Sequence, residues 1–153
     1  MSGKLQAEIR QSKPFGSIEE EAILNLAKTA DLLEQRIEAV LKPFGISQTQ
    51  YNVLRILRGA GKDGLSCRQI GERMISHDPD ITRLIDRMEK PGLVSRSRET
   101  SDRRVVVVRI TDAGLKLVKQ LDEPLEKSLK ESIGHVGRGK LESLIEVLEL
   151  IRT

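Results

Sequence analysis

Arginine is the chemically distinctive residue of this chain. Residues 51–110 hold 11 Arg and 2 Lys against 5 Asp and 3 Glu, a clear positive surplus, whereas residues 1–50 and 111–153 are each slightly acidic and take their positive charge mostly from lysine. A planar guanidinium pairs bidentately with a phosphate or with the O6/N7 edge of guanine, which an ammonium does not. Arg96, Arg98, Arg103 and Arg104 crowd around Glu99-Thr100-Ser101-Asp102, a run of turn residues. A hairpin tip with such a cluster gains little as a fold element, but it suits a narrow, electronegative minor groove. A charge-protected edge strand is the blander reading. Asp102, beside Arg103 and Arg104, is expected to hold one guanidinium by a paired contact.

A second constellation precedes the first. Ile81, Leu84, Ile85 and Met88 recur at helical spacing and predict one buried face. Asp80, Thr82, Arg83, Asp86 and Arg87 are left facing outward. Thr82 and Arg83 near the N-terminal end are what a reader of the major groove must present. Asp80 and Asp86 would repel phosphates unless they accept from cytosine N4 or orient Arg83 and Arg87. Ser66 and Arg68, with Pro79 and Asp80, complete the expected DNA-facing set.

Other chemistries find little support. There is no Ser/His/Asp set, and Gly59, Gly61 and Gly64 lie in a loop that lacks the P-loop Gly-Lys-Ser/Thr pattern. An enzyme, a metal site and a bound cofactor are therefore not expected. Aromatic residues are 2% of the chain, which argues against a stacking platform for single strands. The lone Cys67 shares a helical face with Ile70, Gly71 and Met74, so the spacing predicts a core cysteine; a redox sensor is the alternative. Tyr51 fits a ligand crevice and the core equally well. With no apolar stretch of membrane length and no signal sequence at the N-terminus, the expected compartment is the cytoplasm.

The elements that must position the arginines can be read in order. A chain of 153 residues is a single-domain length. Residues 1–16 read as a polar arm or a short extra helix. Ser17 and Glu20 form a capping box before a long amphipathic helix that ends near Lys42-Pro43. Ser47 and Gln50 form a second, opening a helix that stops at Gly59-Ala60-Gly61. Ser66 caps a short helix over 66–75. Asp78 as N-cap and Pro79 at the first helical position predict the next helix over 79–90. The period then switches from 3.6 to 2: residues 93–98 and 103–110 read as strands of a hairpin. Thr111 caps a helix lined by Leu115, Val118, Leu121, Leu125 and Leu129, which Pro124 should kink or divide. A last helix carries Leu141, Leu144, Ile145, Leu148 and Ile151. Two short helices, a tight turn and a hairpin make a helix-turn-helix with a wing.

The stretch from Leu65 to Gly114 resembles the multiple-antibiotic-resistance regulator (MarR) family of winged-helix transcription factors. Carrying the resemblance are Ile81-Thr82-Arg83-Leu84-Ile85-Asp86-Arg87-Met88-Glu89, then Gly92-Leu93-Val94 with Arg96. They continue as Asp102-Arg103-Arg104, which holds the family's Asp-x-Arg motif, and as Ile110-Thr111-Asp112-Ala113-Gly114, where Ile110 replaces the usual Leu. Asp78-Pro79-Asp80 is more acidic than the pattern leads one to expect. The resemblance implies a mainly α fold with a small β-hairpin wing, as one domain over 1–153. Its winged helix-turn-helix spans 46–111, flanked by dimerisation helices over 17–45 and 112–153. It further implies a homodimer on double-stranded DNA, acting as a repressor that a small organic effector releases. The family's peroxide sensors keep their reactive cysteine in the first helix, a position Cys67 does not match. A winged helix used only for protein contacts is the competing class, against which the arginine-rich wing argues.

Overall fold

The computed structural model describes residues 3–99 and 101–153, in two compact units divided after Arg36. In the first unit the polar arm contains one helical turn, α1 (Leu5–Glu8), with Leu5 buried. Helix α2 (Ile18–Leu41) has Glu19, Glu20 and Glu21 at its positive end. Its start departs from the expected reciprocal box. The Ser17 hydroxyl accepts the Glu20 N–H at 3.1 Å, but the Glu20 carboxylate reaches past Ser17 to the Gly16 N–H at 2.6 Å. The helix gives way to a 3₁₀ turn, Lys42–Phe44, that contains Pro43.

The second unit begins with the last turn of α2. Helix α3 (Gln48–Ala60) opens with the complete Ser47/Gln50 capping box and buries Val53, Leu54, Ile56 and Leu57. Gly64 then turns the chain at a φ of 65°, where any Cβ would lie 2.5 Å from the Val108 carbonyl oxygen. That close approach lets Leu65 pair with Val108 through two backbone bonds of 3.0 and 2.7 Å. Helix α4 (Cys67–Arg73) and helix α5 (Ile81–Glu89) form the helical pair. Strands β1 (Val94–Arg98) and β2 (Val106–Ile110) are antiparallel, with Arg96 opposite Val108. Helix α6 (Asp112–Ile133) and helix α7 (Arg138–Ile151) close the chain. One apolar cluster unites α3, α4, α5, the hairpin and α6 through Leu54, Ile70, Ile85, Met88, Val108 and Leu121. Each such side chain contributes roughly 1.5–3 kcal/mol when fully buried. Among the described residues no helix is long and apolar enough to cross a membrane.

Several boundaries differ from the sequence reading, each for a local reason. Helix α5 starts at Ile81, not Pro79. Asp80 is its N-cap, accepting the Arg83 N–H at 3.0 Å, while Asp78 accepts the Asp80 N–H at 2.9 Å. Helix α4 stops at Arg73 because Met74 turns extended and the Ile75 N–H bonds to Asn52 Oδ1 at 2.9 Å. Strand β2 starts at Val106 rather than Arg103. Asp102 takes the Arg104 N–H on its carboxylate and the Val105 N–H on its carbonyl, which spends those amides in a turn. Part of the expected four-residue turn, Thr100, lies outside the described residues.

Pro124 does not divide α6. Buried Leu121 and Leu125 flank it, and the nearby Asp122 accepts both of its bonds from Arg58 Nη1 at 2.9 Å. Of the apolar residues read on one side of α6, Val118, Leu121 and Leu125 are buried and Leu115 and Leu129 are exposed, and α7 buries none of its residues.

Candidate nucleic-acid interface

Helix α5 exists because Leu84, Ile85 and Met88 anchor one face in the core. Thr82, Arg83 and Arg87 consequently stand on the exposed face, as the sequence spacing required. Asp80 is exposed too, and its Oδ1 caps the helix, a fold role beside its outward-facing position. Asp86 is likewise engaged. It pairs with Arg96 Nη2, which also lies 3.1 Å from Glu89 Oε1. Glu89 Oε2 accepts the Arg96 backbone N–H at 3.1 Å.

Arg96 is therefore not a free cation at the wing tip. It lies mid-strand with 27% of its side chain exposed, joined to the last turn of α5. The hydrogen bond that the guanidinium donates to Glu89 holds its pKa above the ordinary arginine value; desolvation opposes the shift, and Asp86 adds to it.

At the tip, Arg98 Nη1 donates to the Arg103 carbonyl at 2.6 Å and so braces the turn. Arg103 and Arg104 are exposed. The expected Asp102–guanidinium pair does not form: Asp102 Oδ1 accepts the Arg104 backbone N–H at 3.0 Å. The short local ring of an Asx turn outcompetes a long flexible partner. Arg109 donates from Nε to the Lys62 carbonyl at 2.8 Å and from Nη1 to Ser97 Oγ at 2.7 Å. Among the described residues, Arg83, Arg87, Arg103 and Arg104 form no ion pair through their guanidinium groups.

Ser66 is half-buried and caps α4, accepting the Gln69 N–H at 3.2 Å. Arg68 is exposed and pairs with Glu72 one turn on, at 3.2 Å. Pro79 is exposed in the turn before Asp80. Tyr51 and Cys67 are both partly buried and pack against the core cluster. Among the described residues no three His, Cys, Asp or Glu side chains converge as a metal site.

Three positioning features escaped the sequence reading. Asn52 is a buried polar residue within the apolar run of α3, and that oddity is a usable signal. Glu89 was seen only as part of a motif. The Leu65–Val108 pairing had no visible signal, because an isolated bridge has no period.

A model of the MarR family matches residues 46–106. The solved structure of a MarR transcription factor from Planctomyces limnophilus is 43% identical, with a TM-score of 0.69, over 89% of this chain and 98% of that one. An HTH-type transcriptional regulator of Bacillus subtilis, YdgJ, is 29% identical over 90% of this chain and 81% of its own length. The HTH-type transcriptional repressor IacR of Pseudomonas putida is 28% identical over 82% and 74%. With helical pair, hairpin and flanking helices all in place, the chain belongs to the MarR family of winged helix-turn-helix transcriptional regulators.

Proposed function

We propose that this regulator acts as a homodimeric repressor on a pseudo-palindromic operator and is released by a small organic effector. Residues 46–111 form its DNA-binding region, and residues 17–45 and 112–153 its dimerisation helices. One observation carries the reading. The guanidinium groups of Arg83 and Arg87 on α5, and of Arg103 and Arg104 at the wing tip, are exposed and unpaired among the described residues. The neighbouring acids Asp80, Asp86 and Asp102 are occupied within the protein. That arrangement leaves four guanidinium groups available to phosphates and base edges where a major and an adjacent minor groove would lie.

In this reading Thr82 and Arg83 meet base edges, Arg87 meets a phosphate, and Arg104 with Arg103 enters the minor groove. Ser66, Arg68 and Pro79 approach the backbone. Dimerisation is supported by apolar side chains left uncovered on the outer helices: Ile18 and Ile23 on α2, and Leu144, Ile145, Leu150 and Ile151 on α7. A two-fold dimer would read half-sites about one helical turn apart. The repressor role follows from simple occupancy of a promoter and agrees with the similarity to a repressor. The effector is assigned from family membership.

Selection of duplexes from a random-sequence pool tests the whole reading. An enriched inverted repeat is expected, with Arg83→Ala costing roughly 1–3 kcal/mol per half-site on that duplex and much less on random DNA. Equal losses on both duplexes would make Arg83 a phosphate contact. Failure to enrich any sequence would sink the reading.

A further inference from the structure

We propose that Arg96 is a positioning residue for DNA recognition: with Asp86 and Glu89 it forms a clasp that holds the wing at one angle to α5. Arg83 and Arg104 then arrive at their two grooves in a single register. The proposal rests on the DNA contacts assigned above.

The geometry of the clasp is unlike that of an ordinary surface ion pair, which fixes no angle and contributes little. Glu89 grips one residue twice, with Oε2 on the Arg96 backbone N–H and Oε1 on its guanidinium, both at 3.1 Å. Asp86, about one turn earlier, holds the same Nη2. Paired charges with defined geometry set orientation as well as distance. The gripped residue is also well chosen. Arg96 lies opposite Val108, and Val108 is the residue that Leu65 pairs with on its other edge. The clasp therefore holds the middle rung of the small sheet.

A second strut works from the other side. Side chains alternate between the faces of a strand, so Ser95 and Ser97 share the face opposite to that of Arg96. Arg109 pairs across from Ser95, bonds to Ser97 Oγ, and reaches the Lys62 carbonyl. The hairpin is thus braced on one face to α5 and on the other to the turn before α4. The clasp has an electrostatic role as well. Without Arg96, the carboxylates of Asp86 and Glu89 would stand uncompensated on the helix that carries Arg83 and Arg87.

The test uses full-length protein and fluorescence anisotropy, on a duplex selected from a random pool by the wild type and on a random duplex. Arg104→Ala is made in three backgrounds: wild type, Arg96→Gln, and Arg96→Gln with Asp86→Asn and Glu89→Gln. The triple change removes the clasp without leaving bare acids. Arg104→Ala should weaken the wild type on the selected duplex about tenfold. In both clasp-free backgrounds the same change should cost less than about threefold, because the wing no longer delivers Arg104 to its groove. Should Arg96→Gln fail to fold, Asp86→Asn keeps both Glu89 bonds and should shift the Arg104 factor in the same direction by less. An Arg104 factor equal in every background overturns the clasp. So does an Arg96→Gln loss that is equal on both duplexes and lowers the salt slope by about one, which marks a phosphate contact. If Arg104→Ala is silent in the wild type, the DNA contacts themselves are wrong and the clasp falls with them, a failure visible without any change at Arg96.

Discussion

Gly114→Ala should destabilise the protein even though alanine is the better helix former. Gly114 lies in the first turn of α6, where that helix crosses the base of the wing. A Cβ there would sit 2.3 Å from the Leu93 carbonyl oxygen and 2.7 Å from Ile110 Cγ1. Ordinary carbon–oxygen contact begins near about 3.3 Å, so the shortfall is about 1 Å in a close-packed interior. Leu93 is not free to yield. Its carbonyl accepts the Thr111 N–H at 3.1 Å and its N–H donates to the Met88 carbonyl at 3.1 Å. The Thr111 hydroxyl in turn accepts the Gly114 N–H at 3.1 Å and donates to the Gly92 carbonyl. Overpacking costs about 1–3 kcal/mol, and each backbone bond given up adds about 1 kcal/mol. Helix propensity returns about 1 kcal/mol. The net loss is about 2–4 kcal/mol, or a fall in Tm of about 5–15 °C for a chain of this size. Thermal melting followed by circular dichroism, at one fixed protein concentration, measures it. Gly139→Ala is the control: it makes the same change inside α7 with nothing within 4 Å of the new Cβ, and should leave Tm unchanged or slightly raised. A Gly114→Ala protein that melts at or above the wild type would refute the steric reasoning.

Three further outcomes are expected. Affinity for duplex DNA should fall on the order of 10³–10⁵ between about 50 and 200 mM salt if the dimer makes about six to ten phosphate contacts, and a flat titration would contradict phosphate binding. Arg104→Ala should weaken operator binding more than Asp102→Ala, with the double variant costing less than the sum, because Asp102 acts through the Arg104 backbone N–H; anisotropy on the selected duplex reads all three, and additive losses would separate the two residues. Deleting residues 132–153 removes α7 with its uncovered apolar face and should yield aggregated or unfolded protein, whereas a folded monomer in sedimentation would show that α7 is dispensable.

What the sequence disclosed follows from which interactions are periodic and which are not. The buried face of α5 was legible because Ile81, Leu84, Ile85 and Met88 repeat at helical spacing, and the wing because the period changes at Leu93. Capping boxes marked the start of α3 through Ser47 and Gln50, since that signal lies within four residues. Competition between neighbours was not legible. Asp78 and Asp80 are both good caps, and the backbone decided for Asp80. Arg96, Arg98, Arg103, Arg104 and Arg109 look alike as letters. Their roles separate only through partners such as Glu89, Ser97 and the carbonyls of Lys62 and Arg103. Gly114 belonged to a recognisable motif, but its steric cause appears only where the Leu93 carbonyl meets it.

The bond from the Ile75 N–H to the buried Asn52 amide has a consequence for how such a protein changes over time. It fastens the end of α4 to α3 from inside the core, so the geometry at the start of the turn is dictated by a residue 23 positions away. The outer side chains, Ser76 and His77, are exposed and are not what fixes that end of the turn. They are therefore open to substitution while the helical pair keeps its frame. A lineage can alter what this corner presents to its surroundings one residue at a time, provided that Asn52 stays.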